Sequence, residues 1–369
     1  MRSQRPADAT LLLRDSPLAA RAARLRHVSP DEPGFLRRRR GANFEYLDQR
    51  GKRLTLAAHL ARIAALAIPP AWQNVWICAT PDGHVQATGQ DARGRKQYRY
   101  HAAWRSTRDR AKFHELVPFG RALPSLRLRV ARDLAQPRLN KRKVLGAVVT
   151  LIERTCIRVG NDEYAVSNGS YGLTTLLDRH AKFGPAGVQF NFRGKGGKLH
   201  SIAVADRKLA RIVKRCRDIP GQRLFQYIDE RGAHRAISST DVNRYLREAT
   251  GMPFTAKEFR TWQGTVHALL VLGRSGPHAS QAAAKRAALQ ALTVVSSHLG
   301  NTPAICRKSY IHPAVFEAHF NDELKSLFTS ELARARRQGP RGLSPEERAA
   351  LACLERWASP VTPRLARSA

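Results

Sequence analysis

The chain has 369 residues, with 64 lysines and arginines against 29 aspartates and glutamates, a formal charge of +35 at neutral pH. That excess is far beyond what solubility asks of a domain-sized protein, so a polyanion is the expected partner. No stretch approaches the ~18 consecutive apolar residues of a spanning helix, which favours nucleic acid over a membrane.

Residues 1 to about 40 are rich in Arg, Ala and Pro, end in Arg37-Arg38-Arg39-Arg40, and read as a loosely ordered basic arm. From Phe44 the pattern changes to short strands at 44–47, 75–78 and 84–88, separated by the turn signals Asp48-Gln49-Arg50-Gly51 and Pro81-Asp82-Gly83. A helix over 57–67 must end at Pro69-Pro70. The stretch Gly94 to His101 alternates basic or amide side chains with aromatics on an expected strand. Such a ribbon could enter a DNA groove, Gln97 pairing with adenine and Tyr98 and Tyr100 packing on sugars or thymine methyls. An ordinary exposed edge strand is an equal reading. Residues 41–105 thus read as a small β-rich domain.

Residues 106–334 read as mainly helical. Val144, Val148, Ile152 and Thr155 share one face of a helix spanning 141–158, with Gly160 marking its end. A hairpin follows, with strands 188–192 and 199–204 joined by the glycine-rich turn 193–198. Further helices are expected near 205–217, 239–249, 256–272, 278–298, 303–309, 312–334 and 345–357, the last within an appended helix and basic tail over 335–369. The fold class is therefore α+β: a small β-rich N-terminal domain, then a larger, mainly helical domain containing a β-hairpin. Hydrophobic residues make up 43% of the chain, enough for real cores, which weighs against a protein that only coats nucleic acid. The five cysteines are scattered and never spaced as metal ligands, so neither a disulfide framework nor a zinc site is expected, and the chain reads as cytoplasmic.

Near the C-terminal end Tyr310 closes the segment Gly300-Asn301-Thr302-Pro303-Ala304-Ile305-Cys306-Arg307-Lys308-Ser309-Tyr310. Thr302 followed by Pro303 is a helix start, and Pro313 discourages continuation past Ile311. Were that helix straight, more than two turns would separate Asn301 from Tyr310, so a break near Tyr310 is expected if both serve one phosphate. Thr255-Ala256-Lys257-Glu258 has the form of a capping box, which sets Arg260 in the first turns of a helix whose dipole adds positive potential. A phenol flanked by permanently charged guanidiniums suits attack on a phosphodiester, whose transition state gathers negative charge on the phosphoryl oxygens.

Five segments carry a specific likeness: Ala67-Ile68-Pro69-Pro70-Ala71-Trp72, Arg158-Val159-Gly160-Asn161, Phe192-Arg193-Gly194-Lys195-Gly196, Phe259-Arg260-Thr261-Trp262 and Gly300-Asn301-Thr302-Pro303. With the stretch from Thr88 to His101, they make residues from about 27 to 320 resemble a type IB DNA topoisomerase of the small poxvirus-type and bacterial branch. The resemblance implies that Tyr310 is the nucleophile, taking the 3′ phosphate of the cut strand and freeing a 5′ hydroxyl. It implies that Arg158 and Arg260 grip phosphoryl oxygens. Lys195 matches the general acid that protonates the departing 5′ oxygen, with Lys198 a competing candidate. Asn301 matches a position at which many relatives carry histidine; an amide donates a hydrogen bond but cannot act as an acid. Lys257 is a further expected DNA contact. Double-stranded DNA is the implied partner, gripped by a monomeric clamp in the nucleoid, with no cofactor and no metal. A tyrosine recombinase shares this chemistry, but such enzymes usually place histidine where Lys257 stands and carry a helical rather than β-rich companion domain. A non-catalytic DNA-binding protein on the same scaffold is the third reading.

Overall fold

A computed structural model describes residues 17–275, 278–339 and 342–358, apart from the side chains at 106 and 108–111. The chain divides into two compact units, one up to Glu115 and one from Leu116. No helix of the described residues is long and apolar enough to cross a membrane.

The first unit is built on an antiparallel five-stranded sheet of order β2-β1-β3-β4-β5, with β1 at Gly34–Arg40, β2 at Asn43–Leu47, β3 at Gln73–Cys78, β4 at Val85–Gln90 and β5 at Lys96–Tyr100. Its helices are α1 (Pro17–Ala22), α2 (Ala57–Ala65) and α3 (Ala102–His114). Strand alternation sends Phe35, Val75, Ile77 and Ala87 to one face, against Ile63 of α2. Trp76, Cys78 and Val85 face the other way with Val28 and Tyr100, and Tyr100 also meets the cluster of Ala19, Ala20, Leu25 and Trp104. Val85 and Ala87 point to opposite faces because β4 is bulged there: two steps from Val85 to Ala87 oppose one step from Tyr100 to Arg99. The extra residue, Gln86, is buried and satisfied, accepting from Arg62 at 2.7 Å and donating to Gly83 at 2.7 Å.

Two expectations change here. The four-arginine run assigned to a loose arm forms most of β1 and pairs with β2, while the strand's first residues, Gly34 to Leu36, pair with β3. Its charge hid a strand: Arg37 stacks over the Phe44 ring at 4.2 Å and donates to the carbonyls of Pro69 and Trp72, while Arg38 pairs with Glu45 at 2.6 Å. The unit also runs on through α3 rather than closing near residue 105. Residues 1–16 of the expected arm, and the tail from 359, lie outside the described residues.

The second unit surrounds the buried helix α5 (Lys141–Thr155), capped by the Asn140 side chain. α4 (Leu116–Ala135) precedes it, and α6 (Asp162–Asn168) follows. A three-stranded sheet of order β6-β7-β8 (Ala181–Phe183, Val188–Arg193, Leu199–Val204) comes next, then α7 (Arg207–Arg217) and a small hairpin of β9 (Gln226–Ile228) and β10 (His234–Ala236). The helices α8 (Ser239–Thr250), α9 (Ala256–Arg274), α10 (Gln281–Leu299), α11 (Pro303–Ser309), α12 (Pro313–Phe320), α13 (Leu324–Arg337) and α14 (Pro345–Ala358) complete it. α5 ends not at Gly160 but at Cys156, which takes the left-handed conformation that turns the chain out of a helix. The single helix expected over 312–334 is two, separated around Asp322, also left-handed at φ 58°.

α14 is an integral part of this unit. Glu347 on its first turn is 7% exposed and receives both terminal nitrogens of Arg127, at 2.7 and 2.9 Å, and the indole N–H of Trp262 at 3.2 Å. Arg127 also donates to Glu153 of α5. Replacing Glu347 by Ala leaves Arg127 with Glu153 as its one carboxylate partner and leaves a buried indole N–H unpaired. Denaturant unfolding of that variant is expected to show a loss on the order of 3 kcal/mol.

Candidate active site

The site is assembled from α9 outward. The predicted capping box is present: Thr255 Oγ1 and its backbone N–H donate to Glu258, at 2.8 and 2.6 Å. Arg260 follows within the next turn and is 4% exposed. Its guanidinium donates through Nη1 to the carbonyl of Cys156 and through Nη2 to that of Leu299, the latter at 2.7 Å. These two carbonyls belong to the left-handed end of α5 and the last residue of α10, so Arg260 ties three helices together and is aimed by them. Two of its five N–H groups are spent this way; Nε remains buried without a partner.

One turn beyond Arg260, Gly264 lets the Tyr310 backbone approach α9, since a Cβ there would stand 2.5 Å from the Tyr310 carbonyl oxygen. Thr265 fixes the same segment: its hydroxyl donates to Tyr310 O at 3.4 Å and accepts from the His312 N–H at 3.1 Å. The expected break is there. α11 ends at Ser309, Tyr310 leaves helical geometry with φ −132° and ψ −4°, and α12 starts at Pro313. The turn brings the Tyr310 ring to 5.0 Å from the guanidinium carbon of Arg260.

Asn301, in the turn between α10 and α11, accepts a hydrogen bond at Oδ1 from Arg158 Nη2. A guanidinium only donates, so the amide must show its oxygen to Arg158, which directs Nδ2 into the site as a buried donor on the side of the Tyr310 phenol. Burial opposes ionisation of the Tyr310 phenol. The charge of Arg260, the donors of Arg260 and Asn301, and the charge of Arg158 outweigh it, and the pKa lies below the ordinary tyrosine value. Burial, then repulsion from Arg260, lowers that of Arg158.

Lys195 lies in the turn between β7 and β8, exposed, in a three-residue 3-10 segment with Gly196 and Gly197 at φ 74° and 78°, conformations that glycine takes freely. Lys195, Lys198, Arg158 and Arg260 line one cleft of about 400 Å³, floored by Cys156 and walled by Phe192, His200 and Gly300. Burial pushes the Cys156 thiol up to about 11, which leaves it a packing group. His298 packs against the His267 ring at 4.2 Å and lies 3.6 Å from Cys156 Sγ.

The remaining expected DNA contacts are Lys257 on α9 and three residues of β5. Lys257 is exposed on the first turn of α9. On the edge strand β5, Tyr98 and Tyr100 stack on one face with rings 5.7 Å apart. Gln97 alternates to the opposite face, where Asp91 accepts from its amide at 3.0 Å. Three groups escaped the sequence reading: Gly264, Thr265 and His200. Thr265 carries no local signal, and His200 only its place one strand-pair across from Phe192.

Titrating tyrosine absorbance in wild type and Tyr310→Phe, and taking the difference, should reveal one phenol ionising below pH 10. Arg260→Ala removes the nearest positive charge and should move that ionisation to higher pH.

Residues 101–336 match the family described as eukaryotic DNA topoisomerase I, catalytic core, and residues 43–91 that described as bacterial DNA topoisomerase IB, N-terminal domain. The chain is 32% identical over 307 residues to the DNA topoisomerase 1B of Acanthamoeba polyphaga mimivirus, covering 79% of this chain and 91% of that protein. It is 21% identical over 234 residues to the DNA topoisomerase 1B of vaccinia virus, strain Copenhagen, covering 62% of this chain and 70% of the relative. With Arg158, Arg260, Asn301 and Tyr310 gathered in the matched region, the chain belongs to the type IB DNA topoisomerases.

Proposed function

We propose that this topoisomerase relaxes supercoiled duplex DNA by cutting and resealing one strand through a 3′-phosphotyrosyl intermediate. The observation that carries the reading is the Tyr310 phenol held against Arg260, Arg158 and Asn301, with its ionisation favoured. The phenol gives up its proton to water, and its oxygen bonds to phosphorus as the bond to the 5′ oxygen breaks. Lys195 gives its proton to the departing oxygen, which leaves as a hydroxyl. Resealing is the reverse: the 5′ hydroxyl attacks phosphorus, tyrosine leaves, and the proton returns. One phosphodiester is exchanged for another, so no ATP is consumed, and torsion escapes by swivelling of the free end.

Arg260, Arg158 and the Asn301 amide face the non-bridging oxygens and supply the charge stabilisation that a divalent cation provides in other phosphoryl-transfer sites. Asn301 donates without carrying charge, so its part is confined to a hydrogen bond. Tyr98, Tyr100, Gln97 and Lys257 are proposed contacts along the duplex, and the working unit is proposed to be a monomer.

The test is denaturing capture of protein on labelled DNA. Wild type should form a covalent adduct and relax plasmids that share no common site. Tyr310→Phe should form none, whereas Tyr171→Phe should keep it. Arg158→Ala and Arg260→Ala should each slow cleavage by about 10²–10³-fold. Relaxation should persist in excess EDTA; its loss, or an adduct in Tyr310→Phe, would overturn the mechanism.

A further inference from the structure

Among the rings that line the cleft and that the proposed chemistry does not use, His200 is the one set against the turns of both Lys195 and Asn301. His200 stands on β8 directly across from Phe192, and the two rings stack at 5.0 Å with 16° between their planes. Each edge of the imidazole meets a glycine. A Cβ built on Gly194 would lie 2.6 Å from Cδ2, and one on Gly300 would lie 2.8 Å from Cε1. Gly194 immediately precedes Lys195 and Gly300 immediately precedes Asn301. The ring is therefore wedged between the two backbone turns that present these residues, with no room for a methyl group on either side.

We infer that His200 is a positioning residue, a rigid spacer that sets the turn carrying Lys195 against the turn carrying Asn301 and so places the ammonium group at the departing 5′ oxygen. The need for such a spacer follows from the turn itself. Two of its residues have positive φ, a Cβ on either would meet nothing, and the Lys195 side chain is exposed, so the hairpin tip has few contacts of its own to hold it. A planar ring clamped on three sides gives the strand just behind the tip one position. Burial, followed by the charges of Arg158, Lys198 and Arg260, lowers the imidazole pKa, so the spacer stays neutral near neutral pH and adds no charge beside Lys195.

The inference rests on Lys195 being the general acid, and the test separates the two. Sulfur in place of the bridging 5′ oxygen makes a leaving group that departs without a proton. Single-turnover cleavage is measured on a duplex with oxygen, then sulfur, at a mapped cleavage position, for wild type, Lys195→Ala, His200→Ala and Gly194→Ala. Gly194 has φ −97°, so alanine is compatible with its backbone, and the added methyl acts only by displacing the ring. On the oxygen substrate His200→Ala and Gly194→Ala should each slow cleavage by about ten- to a hundredfold. On the sulfur substrate both should come within about threefold of wild type, as should Lys195→Ala. If sulfur rescues Lys195→Ala but neither of the others, or if Gly194→Ala is unimpaired on oxygen, the spacer role is overturned. If sulfur does not rescue Lys195→Ala, the general-acid reading falls and the inference with it. Should His200→Ala fail to fold, Gly194→Ala decides the matter alone.

Discussion

The buried guanidinium of Arg260 is the constraint on which the site is built. A charge removed from water is costly unless hydrogen bonds replace its hydration, and here two backbone carbonyls do so. One becomes available because Cys156 turns left-handed at the end of α5, the other because α10 stops at Leu299 before the turn of Gly300. Among the described residues no carboxylate pairs with Arg260 or with Arg158. Acidic side chains are spent elsewhere, on scaffold pairs such as Arg127 with Glu347 and Glu153, or Arg129 with Asp133. The site thus keeps uncompensated positive charge, oriented before any anion arrives, which is the arrangement that stabilises charge developing on phosphoryl oxygens.

That orientation reaches Tyr310 through a single helix. Arg260 and Gly264 lie one turn apart on α9, so the same face holds the guanidinium and receives the Tyr310 backbone, while Thr265 anchors the residues on either side of Ile311. α14 supports this helix from behind through Glu347 and Trp262, and its Trp357 stacks on His312 at 6.3 Å, two residues beyond Tyr310. A segment beyond the matched family region therefore touches both the helix of the second arginine and the strand-like turn that follows the tyrosine.

Much of this was legible from local patterns because it is local physics. The Thr255 capping box, Pro303 at the start of α11, the glycine-rich turn around Lys195 and the amphipathic repeat of α5 each declare themselves within a few residues, and each is where it was expected. Charge misled where a strand was made of arginines. The run Arg37 to Arg40 lacks the apolar alternation by which strands are recognised; it joins the sheet by backbone pairing with β2, while Arg37 is settled by stacking on Phe44 and by the carbonyls of distant residues.

By itself, the sequence determined the residue types of the site, the α+β class and the break before Pro313, since these follow from side-chain chemistry, periodicity and proline stereochemistry. Tertiary structure alone decided what converges. The Arg260 bonds to Cys156 and Leu299, the Asn301 amide turned by Arg158, the close pass of Tyr310 over Gly264 and the wedge of His200 all join residues tens to more than a hundred positions apart. No local propensity encodes such contacts, because each exists only once packing has fixed the helices that carry its two sides.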